Sequence, residues 1–454
     1  MNLLESLKQK ISGDRLSTNE TVLLNHSKDE SFHSGRLPDA VVFPKDTQEI
    51  VEVMKFANQN NIPVTAFGVG SGLEGAAIPM RGGISLDLQE MNKILEINPE
   101  DFLVRVQPGV TRKQLNKELG KYGLFFSVDP GADATIGGMA ATNASGTTTV
   151  RYGAMKDNVR DLEVVLADGR VIRTGGKAKK SSSGYNLTEL FVGSEGTLGI
   201  FTELTLQVYG ISEVIMAARA VFPSVNHAVQ AAHALITLGV PIARIELVEG
   251  ETIKYVNHVI GTNYAEGDSL FLEFHGIKGS VETEVQVTKE LFTEFGCYKF
   301  EFEIDSLGRT QLWEARHNSL YALIHNNPGK QVMNTDVCVP LSKLADAIEF
   351  TRKCMKESEL QGDIIGHIGD GNFHAGVLID PNNPYDMDRA NLFNEKIVNF
   401  ALSCGGTCTG EHGVGLGKMK YQPLQHGEAL DVMKSIKQLL DPNGILNPGK
   451  IFYS

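Results

Sequence analysis

His367 and His374 are separated by six residues within Gly-His-Ile-Gly-Asp-Gly-Asn-Phe-His. If 362–368 and 372–379 are neighbouring strands joined by a Gly369-Asp370-Gly371 turn, both imidazoles face one cavity. Further along, Glu411 and His412 are adjacent in Gly-Glu-His-Gly. Two imidazoles and one carboxylate with open positions make a good divalent transition-metal site, and zinc, manganese and iron all accept such ligands. Polar histidines satisfied at a sheet edge fit the same spacing. Arg316 lies in the helical stretch Leu312-Trp-Glu-Ala-Arg-His-Asn318. A guanidinium can grip a carboxylate through two bonds, and a surface salt bridge is its plainer use. Asn372 and His317 are further candidates to line a cavity. Trp313, the single tryptophan, reads as core.

A second chemistry is written in glycine. Gly68-Val-Gly-Ser-Gly-Leu-Glu-Gly75 follows a strand pattern. It fails as a dinucleotide fingerprint, because Leu73 replaces the third glycine and the next stretch contains Pro79 and turns strand-like. No helix N-terminus is therefore expected to hold a pyrophosphate here. The loop can still bind phosphate through its own amides, and an ordinary glycine-rich turn is the alternative. Three stretches strengthen the first reading: 128–138 (VDPGADATIGG), Asn143-Ala-Ser-Gly146 followed by Arg151-Tyr-Gly153, and 193–200 (GSEGTLGI). Together they imply an extended cofactor groove without Rossmann geometry.

These segments resemble the FAD-binding domain of the vanillyl-alcohol oxidase and p-cresol methylhydroxylase superfamily. The resemblance runs nearly the full chain and is nearest the FAD-linked D-lactate dehydrogenases of cytochrome type. RIE (244–246), LFLEFHG (270–276), TDVCVP (335–340), GHIGDGNFH (366–374), TCTGEHGVGLGK (407–418) and LNPGK (446–450) occur in family order. It implies an α+β fold: a two-part FAD-binding domain of the p-cresol methylhydroxylase type plus an α/β cap domain with an antiparallel sheet. It implies that Gly68, Gly70, Ser71, Gly72 and Leu73 lie along the pyrophosphate. Pro130, Thr135, Gly137, Gly138, Ser145, Tyr152, Glu195, Ile200 and Asn447 are the other implied cofactor contacts. The first loop has no His or Cys, so FAD is expected to be noncovalent.

The resemblance also assigns roles to the first set of residues. The implied metal ligands are His367, His374 and Glu411, and the implied carboxylate anchor is Arg316. His412 is implied to accept the substrate proton, a task suited to a neutral imidazole near pH 7. A metal on the same oxygen would lower the hydroxyl pKa. Relatives that oxidise 2-hydroxyglutarate carry an Asn where this chain has Gly376 and a Lys where it has Asn334, with Lys330 nearby. A small D-2-hydroxy acid, D-lactate or D-2-hydroxybutyrate, is therefore expected, with HNSLYALI as an apolar wall. A flavin-binding subunit of a glycolate oxidase-like complex, a D-2-hydroxyglutarate dehydrogenase, and a flavin-free metallohydrolase or lyase are the rival readings. The acceptor of the electrons is an electron-transfer flavoprotein, a quinone, a cytochrome or oxygen.

The elements that must position these residues alternate along the chain. Helices are predicted at 47–60, with Asp46 and Glu49 spaced as a capping box, and at 111–122. A strand is predicted at 62–67, a hairpin at 162–166 and 171–173 around Asp168-Gly169, and a strand at 201–209. Beyond about 213 the units lengthen: helices at 224–238, 342–357, 387–403 and 427–440, and a buried strand at 269–274. The expected domains are 1–212 for FAD (with an N-terminal extension, 1–36), 213–420 for the cap, and 421–454 returning to the FAD domain.

Composition bounds the rest. The chain has 454 residues, 42 Lys+Arg against 55 Asp+Glu, and a formal charge of −13. This acidic balance argues against nucleic acid and against docking on anionic lipid. Apolar content of 42% is globular, and no apolar run is long enough to span a bilayer. Five cysteines make no disulfide framework. The first 25 residues carry acids among bases without a continuous apolar stretch, so a cytoplasmic protein is expected. A homodimer is compatible with the sequence.

Overall fold

The computed structural model describes Leu7, Ile11 and residues 13–453. Most of residues 1–12, on which the targeting expectation partly rests, lie outside the described residues. The chain forms two compact units: residues 1–145, 153–211 and 411–454, and residues 146–152 with 212–410. The units cut the chain differently from the expected borders. The stretch 411–420, expected in the cap, clusters with the first unit, and 146–152, expected in the FAD domain, clusters with the second.

Among the described residues the first unit holds two larger sheets, besides a small antiparallel pair of Leu124–Phe125 with Tyr209–Gly210. One is built from β1 (Leu16–Ser17), β2 (Ala40–Val42), β3 (Val64–Phe67) and β4 (Ile84–Asp87), in the order β1-β2-β4-β3. β3 and β4 are parallel, yet no helix joins them among the described residues; the glycine loop does. The helix Thr47–Asn60 packs six side chains into this core, from Ile50 to Ala57. Its start is capped by Asp46, which accepts from Glu49 N–H at 2.9 Å. The Glu49 carboxylate reaches back to Lys45 N–H, one residue before the expected partner. The second sheet, β5 (Ile94–Asn98), β6 (Leu103–Val106), β7 (Val159–Val165), β8 (Val171–Arg173) and β9 (Ile200–Gln207), is antiparallel in the order β5-β6-β9-β7-β8.

The tail completes the first core. After the helix Ala429–Leu440, the Asp441 carboxylate accepts from Ile445 N–H at 3.0 Å and Leu446 N–H at 2.8 Å, closing the DPNG turn. Lys437 donates to the same carboxylate and to the carbonyls of Thr197 and Leu446. Ile445 and Leu446 are thereby buried against β3, with Val64 N–H on Ile445 O at 2.8 Å and Asn447 N–H on Val64 O at 2.8 Å.

The second unit is one eight-stranded antiparallel sheet under helices. Its strands are β10 (Val214–Phe222), β11 (Ile242–Val248), β12 (Asp268–Gly276), β13 (Lys299–Glu303), β14 (Gln331–Asn334), β15 (Val337–Cys338), β16 (Gly362–His367) and β17 (Asn372–Ile379). The order is β13-β10-β12-β11-β16-β17-β14, with β15 beside β17. Strand alternation sorts the two faces. Ile245, Leu247, Leu272, Phe274, Ile364, Phe373 and Ala375 share the apolar face. Glu246, Glu273, His275, Asp363, His367, Asn372 and His374 share the other, as the registers require. Residues of helices Gly250–Ile260, Ser306–His317 and Ser319–His325 form a hydrophobic cluster with Val248 and Phe271 of this second face, so its polar groups are buried rather than wet. Buried polar groups must then satisfy one another.

The tail gives the first prediction. Asp441→Ala removes a buried acceptor from two N–H groups and leaves the half-buried Lys437 ammonium without its counter-charge. A loss of about 2–4 kcal/mol in urea unfolding is expected. A loss under about 0.5 kcal/mol would deny the turn this role.

Candidate active site

The two histidines sit where the hairpin reading placed them. β16 and β17 pair antiparallel with His367 opposite Asn372 and Ile365 opposite His374. Asp370 N–H closes on His367 O at 3.2 Å, and Gly371 has φ +87°, with Val339 O only 2.1 Å from where a Cβ would stand. Only glycine fits that turn. The imidazole centroids are 5.5 Å apart, their planes at 85°, and both residues are buried.

Glu246, from β11, lies beneath them. Its Oε1 accepts from His367 Nδ1 at 2.7 Å. Its Oε2 accepts from Arg316 Nε at 3.0 Å and Nη2 at 2.7 Å. Glu246 is wholly buried, which alone would push its carboxyl up; the adjacent His367 and Arg316 outweigh burial and hold it below the usual carboxylate range. An ionised carboxylate only accepts, so His367 must carry a proton on Nδ1, and when the imidazole is neutral its lone pair is on Nε2. His374 reaches the same tautomer through the Thr335 carbonyl, 3.1 Å from Nδ1. Two Nε2 lone pairs on one sheet face suit a borderline-soft divalent metal.

Asp336 organises the neighbouring backbone. Its Oδ1 accepts from Asn372 Nδ2 at 2.8 Å, and its Oδ2 from Thr409 Oγ1 at 2.7 Å and Gly410 N–H at 2.8 Å. Glu411 and His412 follow Gly410 directly in the chain. Asn372 also leaves its Oδ1 buried with no partner among the described residues, an acceptor suited to a substrate hydroxyl. Arg316 comes from the helix Ser306–His317, whose buried positions are Leu312, Trp313, Ala315 and Arg316. His317 lies on the exposed side of that helix, and Trp313 sits in the core as expected.

In the first unit the glycine loop fits a phosphate ligand. None of the N–H groups of residues 68–73 donates to another described residue. Gly70 has φ +71°, and Thr135 Oγ1 stands 2.5 Å from where a Gly68 Cβ would lie, so backbone and Thr135 are in direct contact. Asp29 places an unpartnered, buried Oδ2 beside Gly72, an acceptor of the kind a ribityl or ribose hydroxyl needs. Ser71, Leu73, Pro130 and Gly138 remain at least partly accessible, and Gly137 is buried against Pro108.

Several residues expected at the cofactor also make defined contacts within the protein. Thr135 caps the short helix Ile136–Thr142. Ser145 donates to Glu411 Oε2 at 2.7 Å. Glu195 accepts from Val414 N–H at 2.6 Å and Gly415 N–H at 2.9 Å, pinning the turn after His412. Asn447 donates to Glu195 O at 2.7 Å and Ala76 O at 2.9 Å. The Ile200 side chain is 1% exposed and belongs to the core. Tyr152 lies in the second unit, its hydroxyl 2.9 Å from His275 Nδ1. Glu246, Asp336 and Asp29 carry no role in the sequence reading. The alternation Arg244-Ile-Glu-Leu-Val was the available signal for Glu246, since period-2 polarity marks a strand with one polar face.

Glu195 yields a pH prediction. Burial raises its carboxyl from 4.5 to about 7, against the two N–H bonds and Lys450, which lower it. Between these values the folded chain holds a proton that the unfolded chain has released, so Glu195 costs stability as pH rises through that window. Glu195→Gln should therefore gain stability relative to the natural chain from pH 4.5 to 7 and hold that gain above 7. Parallel unfolding curves over the window would show that Glu195 titrates normally.

Comparison with known proteins agrees with this geometry. Residues 38–175 match the FAD binding domain family, and residues 211–451 match the family of FAD linked oxidases, C-terminal domain. The chain is 45% identical to the probable mitochondrial D-lactate dehydrogenase of Danio rerio, over 98% of this chain and 90% of that one. It is 40% identical to the mitochondrial D-lactate dehydrogenase [cytochrome] of Arabidopsis thaliana, over 99% and 80%. Its fold is that of p-cresol methylhydroxylase with substrate bound, with a TM-score of 0.80 at 18% identity, over 99% and 96%. The open amide loop, the tail that completes its sheet and the buried imidazole face thus stand in a chain that belongs to the FAD-linked oxidase family, with the α+β fold of p-cresol methylhydroxylase.

Proposed function

We propose that this chain oxidises D-lactate, or a small D-2-hydroxy acid such as D-2-hydroxybutyrate, to the 2-oxo acid. One observation carries the site: buried Arg316 and His367 are tied to a single carboxylate, on the sheet face that also holds His374. Arg316 anchors the substrate carboxylate, and Glu246 is its only hydrogen-bond partner among the described residues. His412 takes the hydroxyl proton. FAD, held noncovalently by the amides of residues 68–73, supplies the acceptor for the hydride leaving C2. His367, His374 and Glu411 are the ligands of a divalent metal that would polarise the substrate hydroxyl. That ligand set is supported by the Nδ1–H tautomers and by the bond from Ser145, which orients the Glu411 carboxylate.

Substrate size follows from Gly376. A Cβ there would stand 3.0 Å from Asp363 Oδ1 and 3.1 Å from Asn334 Oδ1. There is no space for a second carboxylate clamp, and Asp363, pushed up by burial to about 6, would be a poor neighbour for one. The names of similar proteins support a cytochrome as the electron acceptor.

An anaerobic absorbance spectrum tests the reaction. The purified chain should be yellow, and D-lactate should bleach the flavin band without added acceptor. A band that stays oxidised with every D-2-hydroxy acid, glycolate included, would end the proposal; bleaching by glycolate alone would favour a glycolate oxidase. A second test concerns the metal. His367→Ala should lose stoichiometric metal and keep FAD; full metal retention would refute the ligand assignment.

A further inference from the structure

We infer that Glu246 is a positioning residue shared by two parts of the site, setting the metal-ligating tautomer of His367 and the aim of Arg316 through one carboxylate. This rests on the roles proposed above for His367 and Arg316. The geometry forces the sharing. Oε1 is occupied by His367 Nδ1 and Oε2 by two nitrogens of Arg316, all within 3.0 Å. Both partners are themselves buried, and Glu246 is 0% exposed, so water cannot replace the carboxylate at either end. The three groups come from three elements: β11, β16 and the helix Ser306–His317.

An amide at this position cannot do both tasks. If its oxygen faces Arg316, its NH2 faces His367 and demands a lone pair on Nδ1. That moves the proton to Nε2, the wrong nitrogen for a ligand. If its oxygen faces His367, its NH2 opposes the guanidinium, which must then turn away. Either way one carboxylate-to-amide change disturbs metal binding and substrate binding together. Loss of a residue that orients a metal ligand typically weakens metal binding about 10–100-fold.

The test titrates Mn2+ and Zn2+ into the FAD-loaded, metal-stripped chain, natural and Glu246→Gln, and measures KM for D-lactate at saturating metal. The variant should keep its flavin spectrum, bind metal about 10–100-fold more weakly, and show a KM raised about tenfold that excess metal does not restore. The persistent KM at saturating metal separates aim of Arg316 from simple metal loss. If Glu246→Gln fails to fold, Glu246→Asp keeps the charge but is one methylene too short to reach both partners. At least one of the two constants should then worsen. Unchanged metal affinity or unchanged KM in Glu246→Gln, or both unchanged in Glu246→Asp, overturns the shared role. A natural chain that binds neither metal overturns the ligand assignment and this inference with it. A natural chain that binds metal no more tightly than Glu246→Gln overturns only the role of Glu246.

Discussion

A buried carboxylate that must stay ionised is the constraint on which the second unit turns. Glu246 has no solvent, so its charge persists only because an imidazole N–H and a guanidinium fork are delivered to it. Removing either partner leaves an uncompensated charge, a loss of roughly 3–5 kcal/mol in comparable buried pairs. The sheet therefore cannot relax one of these side chains without paying for the others. That cost is what keeps Arg316 and His367 in fixed orientations, and fixed orientation is what hydride transfer from a small substrate requires. Asp336, just before β15 and bonded to the first residue of β17, repeats the device, spending both oxygens on Asn372, on Thr409 and on the backbone that leads into Glu411 and His412.

The first unit solves a different problem with the opposite means. It keeps the N–H groups of residues 68–73 without an acceptor among the described residues, where the second unit pairs both oxygens of Glu246 and of Asp336. Parallel β3 and β4 are linked by a loop in which the N–H groups of residues 68–73 find no acceptor among the described residues, and buried Asp29 holds an oxygen in reserve beside them. Such a loop has little to hold its shape by itself, so the shape is imposed from outside. Thr135 braces Gly68, Asn447 bonds the backbone at Ala76 and Glu195, and the tail adds a bridge to β3.

Much of this was legible in the residues. The histidine hairpin, the capped helix Thr47–Asn60, the helix-free glycine loop and the returning tail follow from spacing, caps and turn chemistry, all local signals. What escaped depended on contacts between distant segments. Nothing near Glu246 says that residues 316 and 367 will meet it, 70 and 121 positions away. Nor does anything near Glu195 and Ser145 say that their side chains hold the segment around His412, more than two hundred residues on. The units meet the chain at 145–146, 152–153 and 410–411, changes of unit that no local signal marks.

The protonation of His367 tests the central claim most directly. Nitrogen chemical shifts of the 15N-labelled imidazole, recorded on the metal-free, FAD-loaded chain, distinguish the two tautomers and the cation. A proton on Nδ1 is predicted in the natural chain, moving in Glu246→Gln to Nε2 or to a mixture of the two tautomers. An Nε2–H tautomer in the natural chain, or shifts indifferent to Glu246, would contradict the account.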